Sequence, residues 1–195
     1  MRAFVAVELP SAARESLATL QDRLRGALPA DVRWADPQTA HLTLKFLGEI
    51  DDSRVDPLIE RCRARVAGLG EIDVELAGLG VFPDAKRARV LWLGVRSGTR
   101  ELARAARRLD AAAARLGVER ERRPYRAHLT LGRLPTPAPL AVERLEGPKG
   151  IAFRAGDVVF YESRLSPRGA RHIPLARLAL DAPEAGESID FAPEF

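Results

Sequence analysis

Apolar positions recur with period two over residues 2–8, which predicts a strand, and Pro10-Ser11 then opens a period near 3.6 with Leu17, Leu20, Leu24 and Leu28 on one helical face. Trp34 and Asp36-Pro37 mark a connection, residues 41–47 predict a second strand, and Gly48 breaks it. Asp51-Asp52-Ser53 offers caps for a helix carrying Val55, Leu58, Ile59, Cys62 and Val66, in which Pro57 fits only the first turn. Residues 72–82 and 89–95 predict a hairpin across Pro83-Asp84, and Gly98 to Leu116 predict the clearest helix, with Leu102, Ala106, Leu109, Ala113 and Leu116 in phase. A strand follows at 127–133, then a stretch broken by proline and glycine over 134–150, then a closing pair at 152–165 and 172–180. The pattern amounts to about seven strands and three long helices.

At 195 residues, 46% of them apolar, the chain can bury a core without staples. No segment approaches the roughly 20 apolar residues that span a bilayer, and the N-terminal apolar run is too short for a secretory core, so a cytoplasmic location is expected. The single cysteine, Cys62, excludes an internal disulfide framework and falls on an apolar helical face, as core filler would. Residues 181–195 hold five acids and no Lys or Arg, an acidic tail set apart from a body of residues 1–180. With 31 bases against the remaining 22 acids, that body carries about +9, a field that favours a polyanionic partner. Of the bases 28 are Arg, a bias that GC-rich codons explain as well as phosphate binding does.

Two of the three histidines open the same tetrapeptide, His41-Leu42-Thr43-Leu44 and His128-Leu129-Thr130-Leu131. With 26 Leu and 6 Thr in 195 residues, chance repetition is on the order of 10⁻³, so the pair reads as an internal duplication. In a strand, alternation puts His and Thr of each copy on one face and its leucines on the other, toward a core. Two similar lobes packed about a pseudo-twofold would then turn two imidazoles and two hydroxyls into one cleft. That set suits phosphoryl transfer. A neutral imidazole takes a proton from the attacking group, a protonated one gives a proton to the leaving oxygen, and the hydroxyls bond the non-bridging oxygens. A metal site competes for the same histidines, with His172 as a third ligand, but neither motif supplies a nearby carboxylate or thiolate. Lys45, four residues after His41, is in phase with it under simple alternation, and a solvated lysine is the other reading. Trp34 and Tyr125, each shortly before a motif strand, are candidate substrate contacts through their rings, with core packing as the alternative.

The chain resembles the two-histidine phosphoesterases, specifically the bacterial and archaeal RNA 2′,3′-cyclic phosphodiesterases, also called 2′-5′ RNA ligases. The resemblance runs through Arg2-Ala3-Phe4-Val5-Ala6-Val7, Arg33-Trp34, His41 to Glu49, Arg123 to Arg133, and Glu162-Ser163. It implies an α+β, bilobal fold of two pseudo-symmetric lobes, each an antiparallel sheet backed by helices, with the catalytic cleft between them. The implied reaction is opening of an RNA terminal 2′,3′-cyclic phosphate to a 2′-phosphate without metal or other cofactor, with 2′-5′ ligation as the reverse chemistry. By motif position His41 is the expected general acid, protonating the O3′ leaving group, and His128 the general base. Thr43, Thr130 and Arg133 are the expected phosphate contacts. Arg133 lies five positions after His128, so it reaches the cleft only if a bulge intervenes. His172 stands where relatives often have tyrosine, a rim contact or a plain surface residue. The expected partner is RNA with a cyclic phosphate end, and the expected state a monomer. Two other functions remain open at this point: a phosphoesterase for a small cyclic nucleotide or nucleotide-sugar phosphate, and a non-catalytic module that binds RNA ends.

Overall fold

The computed structural model describes residues 1–28, 31–142, 145, 147, 148, 150–166 and 169–181. Beyond residue 181 the expected acidic tail lies outside the described residues. Among the described residues, nine strands form one antiparallel sheet. They are β1 (Arg2–Glu8), β2 (Arg33–Trp34), β3 (His41–Glu49), β4 (Ile72–Phe82), β5 (Ala88–Ser97), β6 (His128–Ala138), β7 (Ile151–Ala155), β8 (Asp157–Ser166) and β9 (Gly169–Ala179). The helices are α1 (Ser11–Ala27), α2 (Val55–Val66) and α3 (Thr99–Ala114).

The order β7-β4-β5-β6-β3-β1-β8-β9 divides into two four-stranded halves that meet where β3 and β6 pair at Leu42 and Leu129. Both leucines are fully buried at this seam. Each half places its motif strand beside a strand that a helix follows in sequence, β1 then α1 in one and β5 then α3 in the other. The architecture is therefore α+β with two pseudo-symmetric lobes. Helix α1, with Leu17, Leu20 and Leu24 buried, packs toward β7 and sends Gln21 to β6, while α3 packs on β3, so each helix backs the lobe opposite its own preceding strand.

Besides β2, which the sequence reads as part of a connection, three elements differ from the sequence pattern. The strand that begins at His128 continues to Ala138 through Pro135 and Pro137, because β2 and β3 cover only its first half and leave the prolines on an unpaired edge. Residues 152–165 are two strands, β7 and β8, that part at Gly156 and join opposite edges of the sheet. Gly48 does not end β3. It sits at positive φ, where glycine carries no Cβ penalty, and pairs with Ala3 at a register shift. The buried Cys62 is a core residue whose thiol is pushed up to about 12 by burial.

Candidate active site

The pairing of Leu42 with Leu129 organises the site. One residue to either side, antiparallel register sets His41 across from Thr130 and Thr43 across from His128, all on the face opposite the buried leucines. The two histidines are diagonal neighbours, which a regular ladder holds roughly 7–8 Å apart, enough for a phosphate between the rings. Neither threonine hydroxyl has a partner among the described residues, so both remain available to a ligand.

Each imidazole is fixed by the same bond. His41 Nδ1 lies 2.8 Å from the Thr39 carbonyl oxygen, and His128 Nδ1 lies 2.8 Å from that of Arg126. A carbonyl only accepts, so Nδ1 carries the hydrogen in both rings and Nε2 is left to exchange protons with a ligand. Aromatic floors then hold the rings at defined tilts. Under His41, Phe4 sits 4.9 Å away centroid to centroid and stacks on Tyr161 at 5.0 Å. Beside His128, Phe82 stands edge-on at 5.1 Å and stacks on Trp92. Gly80 makes this possible, since a Cβ there would lie 2.1 Å from the indole.

The electrostatic surroundings differ between lobes. Desolvation by burial holds His41 below the ordinary imidazole value, outweighing the Thr39 carbonyl; His172 lowers it further and Glu8 raises it. Glu8 is itself pushed up by burial, but hydrogen bonds from Tyr161 and Arg177 outweigh this and hold its carboxyl low.

A bulge in each motif strand decides which later residues join the site. Along β6, Thr130 pairs with Trp92 but Gly132 pairs with Leu91, so Leu131 is an extra residue and the alternation inverts after it. Arg133 thereby returns to the His128 face, exposed and without an ion pair among the described residues. Along β3, Thr43 pairs with Ala6 and Lys45 with Val5, so Leu44 is the extra residue and Lys45 turns inward. Lys45 is thus neither in phase with His41 nor a solvated lysine: it is 6% exposed and its ammonium bonds Asp110 of α3 at 2.7 Å and the Glu119 carbonyl at 2.8 Å. The residue that takes its place on the site face is Phe46, 66% exposed and 6.2 Å from Phe4.

Trp34 does not face the site either. Its register partner is Gly132, an inward position, and Arg25 of α1 lies over its ring at 5.4 Å. Its strand neighbour Arg33, which the motif reading passed over, pairs with Arg133 and so shares the site face. Tyr125 is partly buried next to the core and lines a groove beside Trp92. His172 lies edge-on to His41 at 5.2 Å and to Phe4 at 4.9 Å, with its buried Nδ1 unpartnered among the described residues. The described residues contain no cluster of three His, Cys, Asp or Glu able to hold a metal ion, and none of their helices is long and apolar enough to cross a membrane.

A LigT-like phosphoesterase profile matches residues 7–92 and again 93–171, one match per histidine motif. The RNA 2′,3′-cyclic phosphodiesterase of Methanothermobacter thermautotrophicus is 32% identical over 174 residues, 87% of this chain and 93% of that protein. The enzyme of the same name from Escherichia coli is 31% identical over 182 residues, covering 92% and 96%. Among solved structures, TT0787 of Thermus thermophilus superposes with a TM-score of 0.81 at 25% identity, over 93% of this chain and 99% of that one. E. coli LigT complexed with 3′-AMP superposes with a TM-score of 0.77 at 28% identity, over 92% and 97%.

Proposed function

Because the chain belongs to the LigT-like phosphoesterase family, we propose that it opens RNA terminal 2′,3′-cyclic phosphates to 2′-phosphates without a metal ion, and joins 2′-5′ ends when a 5′-hydroxyl replaces water. The observation that carries the reading is the seam at Leu42 and Leu129, where two tautomer-fixed imidazoles meet on one face with both threonine hydroxyls unengaged among the described residues. His128 accepts the proton of the nucleophile at Nε2 as its oxygen attacks phosphorus. The P–O3′ bond breaks on the opposite side and His41 Nε2 delivers a proton to O3′. The Nδ1–H bonds to Thr39 and Arg126 persist in both charge states, so the rings exchange protons without reorienting. Thr43 and Thr130 donate hydrogen bonds to the non-bridging oxygens and Arg133 offsets their charge, for which a guanidinium fork is suited. The phosphate monoanion also favours imidazolium at His41, against the desolvation that lowers it.

Phe46 supplies the exposed aromatic face for a base of the substrate. The similarity to LigT complexed with 3′-AMP supports a second substrate reading, a cyclic mononucleotide, which a comparison of kcat/KM on mono- and oligonucleotides separates.

The test is incubation of EDTA-treated protein with a short RNA ending in a 2′,3′-cyclic phosphate. A 2′-phosphate product is expected, with His41→Ala and His128→Ala each slower by about 10²–10⁴ while keeping the wild-type circular dichroism spectrum. A 3′-phosphate product overturns the choice of leaving oxygen, and bound RNA without turnover leaves only an end-binding module.

A further inference from the structure

The two shoulders of the cleft occupy equivalent places in the pseudo-symmetric lobes but are finished differently. The residue paired with His41 is Glu8, and there Arg177 bridges Glu8 and Asp157 while Tyr161 donates to the same Glu8 carboxylate. The shoulder is closed by an ion cluster. The residue paired with His128 is Gly94, and Gly78 lies beside it, since a Cβ on Gly94 would stand 2.9 Å from the Ala77 carbonyl oxygen and 3.6 Å from that of Gly78. Two glycines thus stand where the other lobe has charged side chains, and a groove of about 430 Å³ opens along them, walled by Trp92, Tyr125, Arg126 and Thr99.

Two polar atoms on these walls, Trp92 Nε1 and Tyr125 Oη, are buried with no partner among the described residues, and Trp92 as a whole is only 8% exposed. A buried donor left unpaired is costly, and a nucleoside's ring nitrogens, carbonyls and hydroxyls supply the acceptors that satisfy one. Arg126 lies over the Trp92 ring at 4.6 Å, with its guanidinium exposed and without an ion pair among the described residues, available to a phosphate. Past Thr99, which lines both, a second groove of about 440 Å³ runs along Arg100, Arg104 and Arg107 of α3, exposed and without an ion pair among the described residues.

Position identifies the ligand. An in-line displacement brings the nucleophile in on the side of the base and sends O3′ out on the side of the acid, so a groove on the shoulder of His128 lies on the nucleophile's path. We propose that this groove is the acceptor site for ligation, holding the nucleoside that presents a 5′-hydroxyl, with the α3 arginines taking the next phosphates of that strand. This rests on the assignment of His128 as base made above. In the step, the acceptor O5′ forms a bond to phosphorus as its proton passes to His128. The P–O3′ bond breaks and O3′ takes a proton from His41, leaving a 2′-5′ linkage beside a free 3′-hydroxyl. Water, the competing nucleophile, needs none of the groove.

The test measures ligation and hydrolysis together, using a donor RNA with a 2′,3′-cyclic phosphate and a 5′-hydroxyl tetranucleotide. Tyr125→Phe and Arg126→Gln are each expected to lower the ratio of ligated to hydrolysed donor about tenfold through a higher acceptor KM. An unchanged ratio overturns the acceptor site even where hydrolysis proceeds. Binding is read separately from Trp92 fluorescence in a Trp34→Phe background, since the chain has only two tryptophans. Saturable quenching by adenosine that Tyr125→Phe weakens supports the site in a protein that hydrolyses but does not ligate, or does neither. Absence of quenching overturns it. A protein that fails to open the cyclic phosphate yet binds adenosine here refutes the hydrolytic reading alone.

Discussion

His41 and His128 each donate Nδ1–H to the carbonyl two residues back, a local bond that places the ring before any substrate arrives. The similarity ends at their neighbours, because His41 shares Phe4 with a second histidine, His172, and His128 does not. Desolvation holds both His41 and His172 below the ordinary imidazole value. A folded value below the unfolded one means that the unfolded chain binds protons more readily, so stability is fully present above about pH 6.5 and drains away as pH falls through the lowered values. The groups facing this pair are Glu8, Tyr161 and Phe4, and the loss at His41 is offset in part by the Thr39 carbonyl and, to a smaller extent, by Glu8. His172→Tyr is therefore expected to flatten the fall in Tm between pH 7.5 and 5, and identical slopes for variant and wild type would refute this account. Phe46 gives a second residue-scale expectation: Phe46→Ala raises KM for an oligonucleotide roughly 5- to 100-fold, the range for loss of one stacked base, with little change in kcat. A fall in kcat alone would instead make Phe46 part of the floor beneath Phe4.

At the scale of elements the bulges matter most, since the extra residues Leu44 in β3 and Leu131 in β6 invert the alternation on which any sequence reading of a strand depends. Inversion puts Arg133 and Phe46 on the site face and turns Lys45 inward onto Asp110. Burial pushes the Asp110 carboxyl up, but the Lys45 ammonium and the Glu121 N–H outweigh it and hold the carboxyl low. Lys45→Ala leaves Asp110 with part of its charge uncompensated in a half-wet setting, and is expected to cost about 2–3 kcal/mol, below the full value for a buried pair. Denaturant unfolding measures this, and a loss under about 0.5 kcal/mol would return Lys45 to the class of surface lysines. The histidine and threonine positions were legible because they precede the bulge, where alternation still holds. Strands, helices and the duplication were legible from period and repetition over short windows. The bulges were not, because they answer to the partner strand's register, and the exchange of helices between lobes was not, because it is a contact between residues far apart in sequence.

For the molecule as a whole, the ladder between β3 and β6 consists of a single residue pair among the described residues, which alone would hinge rather than hold the histidines at a fixed separation. The exchanged helices supply the rigidity. Gln21 of α1, 1% exposed, donates from Nε2 to the Leu131 carbonyl beside the β6 bulge, and Lys45 beside the β3 bulge bonds Asp110 of α3. Each motif strand is thus pinned at its bulge by the helix that follows a strand of the other lobe. The half built of β1, β3, β8 and β9 is not contiguous in sequence, since β8 and β9 return to β1 after β7 has closed the other edge, and the half built of β4 to β7 takes its backing helix α1 from outside its own span. Melting one lobe strips the other of its helix and exposes its core leucines, so partial unfolding has no stable product. We therefore expect one cooperative transition, with calorimetric and van't Hoff enthalpies equal within error, and fragments 1–70 and 71–195 that stay unfolded when made separately. A second transition, or a folded fragment, would mean that the lobes are stable alone and that the seam, with its one pair of leucines, carries the geometry of the site by itself.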